Sequence, residues 1–234
     1  MRSAGTCGKY ERNNALVTCG HGNTTVGSSV LFNGNTIGTV VKVQYANNQF
    51  GDYSIIKLDN IDPSHKIGSS NNGYIAISGG TYLSPAVGTY VTKYGFQTGY
   101  SYGSVISTNV SITTDSGITV KGMTKVLLSQ GGGSIPGDSG GPYLVGDAFC
   151  GVHHGHNTSN NNFLYFTPYS VISAGGFTAT SMHSCLMWLD VGSTYHSGYC
   201  SICKETVYMA HSDHWDSSQG KCTLCGRTDS ITLP

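Results

Sequence analysis

Short apolar runs, each four to ten residues long, are broken at close intervals by turn residues along most of this chain. Between Cys7 and Thr180 the runs include ALVTC, SSVLF, TIGTVVKVQY, YSIIKL, TYVTKYGF, GSVISTNVSI, ITVKGM and FCGVHH. They alternate apolar with polar residues or are rich in β-branched ones, the pattern of strands that bury one face. NGN, SGG, TDSG and QGGG separate them, and such residues suit tight turns. Helix starts are scarce. One good candidate is Thr167–Pro168, with Thr167 as N-cap and Pro168 at the first helical position, leading into YSVISAG. So many short strands predict an all-β barrel or sandwich and not a βαβ fold.

Composition narrows the picture. The chain has 234 residues, 33 of them glycine, with 15 Tyr against 7 Phe. That length supports a sizeable core in one large or two small domains. Only 10% of residues are charged and the formal net charge is +0, so nothing predicts a nucleic acid or an acidic membrane as partner. No stretch approaches the roughly 18 apolar residues of a membrane span. The opening MRSAGTCGKY has no apolar segment of a signal peptide. An export segment removed before this chain begins would explain that, so the missing signal does not argue for the cytoplasm. The stretch from His183 onward differs, with five of the eight cysteines and four of the nine histidines. We therefore divide the chain at 1–182 and 183–234.

Three residues stand in settings that suit nucleophilic chemistry. A serine hydroxyl needs a neutral imidazole to take its proton, and a buried carboxylate must orient that imidazole and stabilise its charged form. His21 follows an apolar run in LVTCGHGN, between two glycines. Asp52 directly precedes an alternating strand in FGDYSIIKLD, and Ser139 lies in IPGDSGGPY. Each alone reads as a strand-side histidine, a turn cap and a solvent-exposed turn. Together and in this order they make a candidate catalytic set.

These segments carry a resemblance. From Cys7 to Gly176 the chain resembles the chymotrypsin superfamily, in the bacterial form of the streptogrisins, alpha-lytic proteases and glutamyl endopeptidases. LVTCGHGN resembles the family's Thr-Ala-Gly-His-Cys segment, GDYSIIKL its Asp-containing strand, and PGDSGGP is its nucleophile loop unchanged. VGTYVTKYGFQTGYSYGSVIS matches a bacterial hairpin, and NFLYFTPYSVISAGG the closing strand and terminal helix. The resemblance implies two perpendicular six-stranded antiparallel β-barrels, a short C-terminal helix and acyl transfer without a catalytic cofactor. Ser139 would attack a protein or peptide substrate, His21 act as base and then acid, and Asp52 hold His21. The amides of Gly137 and Ser139 would form the oxyanion hole. Asp138 is expected to be structural beneath it. The histidine segment lies too near the start of the sequence for the freed N-terminus that pairs with this aspartate in trypsin-like relatives.

Departures from the family pattern matter too. Gly22, not a cysteine, follows His21, and Cys19 lies two residues before it. A Cys7–Cys19 bridge is the expected pairing, a pair of buried thiols the alternative. CGVHHGHN occupies the strand that lines the primary pocket, and glutamyl endopeptidases place a histidine where His153 falls. His153, with His154, Gly155, His156 and Pro136, is thus the candidate substrate lining. A histidine there can donate to a substrate carboxylate, with charge assistance if protonated. The bland reading is exposed strand polarity. A metal reading is disfavoured because an alternating strand splits His-His-Gly-His between two faces.

The tail carries two CxxC pairs, Cys200–Cys203 and Cys222–Cys225, with eighteen residues between them. Two such knuckles bring four thiolates to one tetrahedral zinc ion, and the segment resembles zinc-ribbon modules. Disulfides are the competing reading for an exported chain. Cys150 and Cys185 are expected to bridge barrel and tail. The whole predicts a secreted or cell-surface serine endopeptidase, preferring Glu or Asp before the cleaved bond, with a cysteine-rich module for surface or polymer attachment. The rivals are a catalytically silent homologue that binds or adheres, and a viral or phage polyprotein-processing protease.

Overall fold

A computed structural model describes residues 6–11, 13–22, 25–32, 34–59 and 81–179, with short strands at 66–69, 73–76, 189–190, 195–199, 206–210, 215–216 and 221–222. Contacts divide the chain into two units, Met1–Ser181 and Met182–Pro234. No helix among the described residues is long and apolar enough to cross a membrane.

Among its described residues the first unit is all-β apart from one short helix. One six-stranded sheet is built from β1 (Thr6–Tyr10), β2 (Asn13–Thr18), β3 (Ser29–Phe32), β4 (Asn35–Gln44), β6 (Tyr53–Leu58) and β15 (Phe177–Ala179), in the order β15-β1-β2-β6-β4-β3. The two-residue β5 (Gln49–Phe50) joins the other sheet, and β7 (Lys66–Ser69) pairs with β8 (Gly73–Ala76). The second sheet runs through β9 (Tyr90–Gly95), β10 (Gly99–Thr113), β11 (Thr119–Gly131), β12 (Pro142–Val145), β13 (Ala148–Asn157) and β14 (Asn160–Pro168). Its order is β10-β9-β12-β13-β14-β11, and β10 also pairs with β11, so six strands close into a barrel. Closure leaves no unpaired edge in that ring.

Patterning explains these placements. In β10, Ser101, Gly103 and Val105 point inward with less buried neighbours between them, the period of a strand with one wet face. β6 is buried at all positions but Lys57, as a strand between β2 and β4 must be. Val91, Val105, Val126, Tyr143, Cys150, Leu164 and Phe166 fill the closed barrel, where Tyr143 stacks on Phe166 at 4.3 Å between ring centroids.

The terminal helix α1 (Tyr169–Ala174) follows β14, but its start differs from the sequence expectation. Pro168 is the N-cap, with extended φ and ψ, and no side chain caps the helix. Thr167 instead lies one residue before the end of β14 with its hydroxyl turned to the backbone of Asp52. A Thr-Pro pair reads locally as a cap, and a long-range hydrogen bond to a buried chain segment overrides it.

In the second unit, β16 (Leu189–Asp190), β17 (Tyr195–Tyr199) and β18 (Thr206–Ala210) form a three-stranded antiparallel sheet. β19 (Trp215–Asp216) pairs with β20 (Lys221–Cys222). Cys185, Cys200, Cys203, Cys225 and the side chain of Cys222 lie outside the described residues, so the expected zinc ligands and the Cys150–Cys185 bridge do too. Cys150 itself is a buried thiol. Cys19 is also a free buried thiol, so the Cys7–Cys19 bridge is not formed.

Candidate active site

Strand pairing brings the first two candidates together. β2 lies antiparallel to β6 with Thr18 opposite Ser54. Two and three residues beyond Thr18 the chain reaches Gly20 and His21, and two residues before Ser54 it reaches Asp52. Asp52 is fully buried. Its Oδ1 accepts the amides of Gly20 at 2.7 Å and His21 at 2.9 Å. A Cβ at residue 20 would stand 2.9 Å from that Oδ1, so the carboxylate seat requires glycine there. Thr167 fixes the other side, its hydroxyl accepting the Asp52 amide at 2.9 Å and donating to the Asp52 carbonyl at 3.1 Å.

Two imidazoles share the remaining carboxylate oxygen. His21 Nδ1 lies 2.5 Å from Asp52 Oδ2, and His154 Nδ1 lies 2.5 Å from the same atom. An ionised carboxylate only accepts, so both Nδ1 atoms carry the proton and donate. The two rings meet edge to face at 5.2 Å between centroids. Burial alone would raise the Asp52 pKa, but the hydrogen bonds and charges of His154 and His21 outweigh it and hold the group ionised, well below the usual carboxylate range. For His21, burial opposes the charged ring, yet the bonds and charges of Asp52 and Cys19 win and raise its pKa above the ordinary value.

His154 reaches Asp52 because β13 bulges. His153 pairs with Phe166 and Gly155 with Tyr165, leaving His154 as the extra residue between them. A bulge re-aims a side chain, yet the division of the histidines between two faces that the sequence predicts is kept, with His153 on one side and His154 and His156 on the other. His153 points into the core and is fully buried, His154 turns to the carboxylate, and with His156 it lines an adjoining groove of about 370 Å³ together with Ser111–Asp115 at the end of β10 and in the turn after it.

Ser139 sits between β11 and β12 on a loop tied to β13. The amide of Gly140 donates to the His153 carbonyl at 2.9 Å, and the His153 amide to the Gly141 carbonyl at 2.8 Å. The Ser139 hydroxyl donates to the His154 carbonyl at 3.0 Å. Among the described residues the amides of Gly137 and Ser139 donate to no protein group, whereas those of Asp138, Gly140 and Gly141 are used within the fold. Gly137 has φ of 106°, a conformation L side chains rarely adopt. Such a loop can offer two unspent donors to an incoming oxyanion. Pro136 is exposed beside it.

Asp138 is anchored beneath this loop, as expected, by a partner the sequence did not suggest. Lys93 is buried and lies 3.2 Å from Asp138 Oδ2. The same carboxylate accepts the Thr98 hydroxyl at 2.7 Å and the amides of Gln97, Thr98 and Ile135. Burial would raise its pKa, but these bonds, led by Thr98, together with the Lys93 charge bring it down to about 2.

The candidate pocket residue His153 has Nε2 2.8 Å from the buried Ser134 hydroxyl. Burial, reinforced by the Lys93 charge, pushes its pKa well below the ordinary value and keeps it neutral. The charge assistance that a protonated His153 would bring is therefore not available in this state. Its Nδ1 is buried without a hydrogen-bond partner.

The comparisons with known proteins agree with this architecture. The chain is 28% identical over 159 residues to streptogrisin-C of Streptomyces griseus, which covers 63% of the chain and 33% of that protein. It thus spans about a third of the length of the curated relative it matches. Protease A of Thermobifida fusca has a similar structure, with a TM-score of 0.62 at 24% identity, over 77% of this chain and 91% of that one. A glutamic acid specific serine protease, described as using a histidine triad in substrate binding, reaches a TM-score of 0.61 at 23% identity, over 76% and 93%. The sequence profile of the trypsin family matches residues 3–174, nearly three quarters of the sequence. The chain therefore belongs to the trypsin family of serine proteases.

Proposed function

We propose that this protein is a serine endopeptidase in which Ser139 is the nucleophile, His21 the general base and Asp52 the residue that orients it. The observation that carries the reading is the short His21–Asp52 bond beside a serine loop whose Gly137 and Ser139 amides are unspent. With Nδ1–H committed to Asp52, the neutral ring of His21 keeps its lone pair on Nε2. The Ser139 hydroxyl leaves the His154 carbonyl and delivers its proton to that Nε2 as Oγ bonds to the substrate carbonyl carbon. The oxygen takes the developing charge and is met by the Gly137 and Ser139 amides. His21 then gives the proton to the leaving amine, and water repeats the sequence in reverse to release the acid.

The primary pocket is proposed to prefer Glu or Asp before the cleaved bond. His153 and Ser134 are hydrogen-bonded to each other at its base, which spends one of their two donors and leaves one N–H or O–H to meet a carboxylate even with the ring neutral. A glutamic acid specific protease of similar fold lends weight to this choice. His156, Gly155 and Pro136 are proposed as the walls that meet the substrate backbone and its earlier side chains. Resemblance to exported bacterial proteases supports an extracellular site of action. The spacing of Cys200, Cys203, Cys222 and Cys225 supports a structural zinc in the tail, held by four thiolates and taking no part in catalysis, with surface or polymer attachment as the tail's role.

Cleavage of a mixed peptide library, mapped by mass spectrometry beside a Ser139→Ala control, tests the reading. Cuts after Glu or Asp that vanish in the control are expected. Cuts after other residues would retain the peptidase and discard the acidic pocket. A chain that neither cuts nor labels with a fluorophosphonate would be a silent homologue, held with its serine turned to His154.

A further inference from the structure

His154 gives the active centre a donor set that hydrolysis of a peptide bond does not require. We propose that His21, Asp52 and His154 form a binding site for a late first-row divalent transition ion, with Zn²⁺ as its test ion, and that binding switches the peptidase off. The two Nδ1 atoms and the carboxylate oxygen all lie within 4.8 Å of one another. Two imidazoles and one carboxylate are ligands that suit zinc and its neighbours. Zinc holds such atoms at about 2.0–2.2 Å, so both nitrogens, each now 2.5 Å from Oδ2, must back away from it to admit the ion between them. Asp52 is pre-set for this, because its Oδ1 is tied to two backbone amides and leaves Oδ2 as the ligand. The two amides are the kind of outer support that fixes the orientation of a ligating carboxylate.

The groove beside His154 and His156 gives an ion an approach, and the side chains of His21 and His154 are 26% and 12% exposed, so neither ring is sealed in. Inhibition follows from where the protons go. To bind through Nδ1 each neutral ring must move its proton to Nε2. From the neutral rings that catalysis uses, no proton is gained or lost, but His21 then presents N–H to Ser139 where it needs a lone pair. The ion also takes the Oδ2 that would have stabilised the imidazolium. The inhibitory half of the inference rests on His21 acting as the base; the binding half does not.

Calorimetric titration of Zn²⁺ into the full-length, zinc-replete Ser139→Ala chain reads binding without any catalysis. One site beyond those already filled is expected, and Ser139→Ala/His154→Asn should bind there at least about tenfold more weakly, since Asn keeps a donor for Asp52 but lacks the ring nitrogen. In the active chain, zinc should inhibit reversibly on addition of a chelator, and His154→Asn should lose that inhibition by the same factor. No added site, or equal affinity with and without His154, overturns the proposal. Should His154→Asn fail to fold, His154→Ser replaces it. The low-field proton resonances of the two Nδ1–H groups in Ser139→Ala give a further reading, since both must disappear as zinc is added, and their persistence at saturation overturns the site. If zinc binds as expected but the chain cleaves nothing, the metal site stands and the peptidase reading falls.

Discussion

Asp52 carries one negative charge and holds two imidazoles by one oxygen, which sets how the site answers to pH. The folded pKa of His21 is raised, with the Asp52 bond and charge overcoming burial. The proposed mechanism needs the neutral ring, so kcat/KM should rise with pH along an acid limb whose midpoint lies above the ordinary histidine value of about 6.5. The stability sign is the reverse. The His21–Asp52 pairing contributes fully below about 6.5 and is lost as pH rises through the raised value. Asp52→Asn should move the acid limb downward and lower kcat by about 10⁴, because the ring loses its tautomer as well as its counter-charge. A limb that stays put in the variant would show that Asp52 does not set it. Lys93 and Asp138 make a second residue-scale case. Lys93→Met would leave a buried carboxylate without its cation, at a cost of about 3–5 kcal/mol, and thermal melting measures it. Asp138 is held to about 2, so its contribution is present above its ordinary pKa of about 4 and fades as pH falls from there. An unchanged melting temperature in Lys93→Met would mean that the Thr98 and amide bonds alone suffice.

At the scale of elements, the loop before β12 and the bulge in β13 decide what the site can do. Gly137 holds a φ of 106° and is flanked by Gln97 Cγ, 2.9 Å from where a Cβ would stand. Gln97 can swing away, but a positive φ cannot be relieved without turning the amide. Gly137→Ala should therefore lower kcat by about 10²–10³, the effect of losing one oxyanion donor, with KM little changed. Steady-state kinetics decide, and an unaltered kcat would remove this amide from the oxyanion hole. The same two elements show what local sequence can and cannot tell. His21, Asp52 and Ser139 were legible because each stands in a distinctive short setting at the end of a strand or in a glycine-rich loop. The partner of His154 was not, since alternation gives the face of a side chain but not the carboxylate, 102 residues away in sequence, that it meets. Thr167 was misplaced as a helix cap, its true partner being 115 residues away. Lys93, 45 residues from Asp138, sits in an alternating strand and reads there as an outward-facing charge. The Ser134 hydroxyl that meets His153 looks like one more turn residue. Pairings across a barrel depend on register, which local patterning leaves open.

At the scale of the whole molecule, the two units face different folding problems. Residues 1–181 bury a closed barrel and a second sheet, enough apolar surface to hold themselves together. The described strands of the tail are two to five residues long, and a segment as small as 182–234 needs a metal or covalent staple. Four thiolates at the observed spacing would supply it, and zinc bound only by the folded form adds its binding free energy to folding. The active centre, by contrast, contains no cysteine ligand, and its proposed ion would inhibit and not support. Zinc analysis of the chain purified without chelator should therefore give one tightly held ion that survives dialysis. A strong chelator should remove it and make four more thiols reactive, while cleavage by the barrel unit continues. A chain free of zinc, with those thiols already oxidised, would replace the metal by disulfides and fit an oxidising compartment. Loss of peptide cleavage on chelation would contradict both assignments at once, because an ion needed for activity could be neither a staple confined to the tail nor an inhibitor at His21.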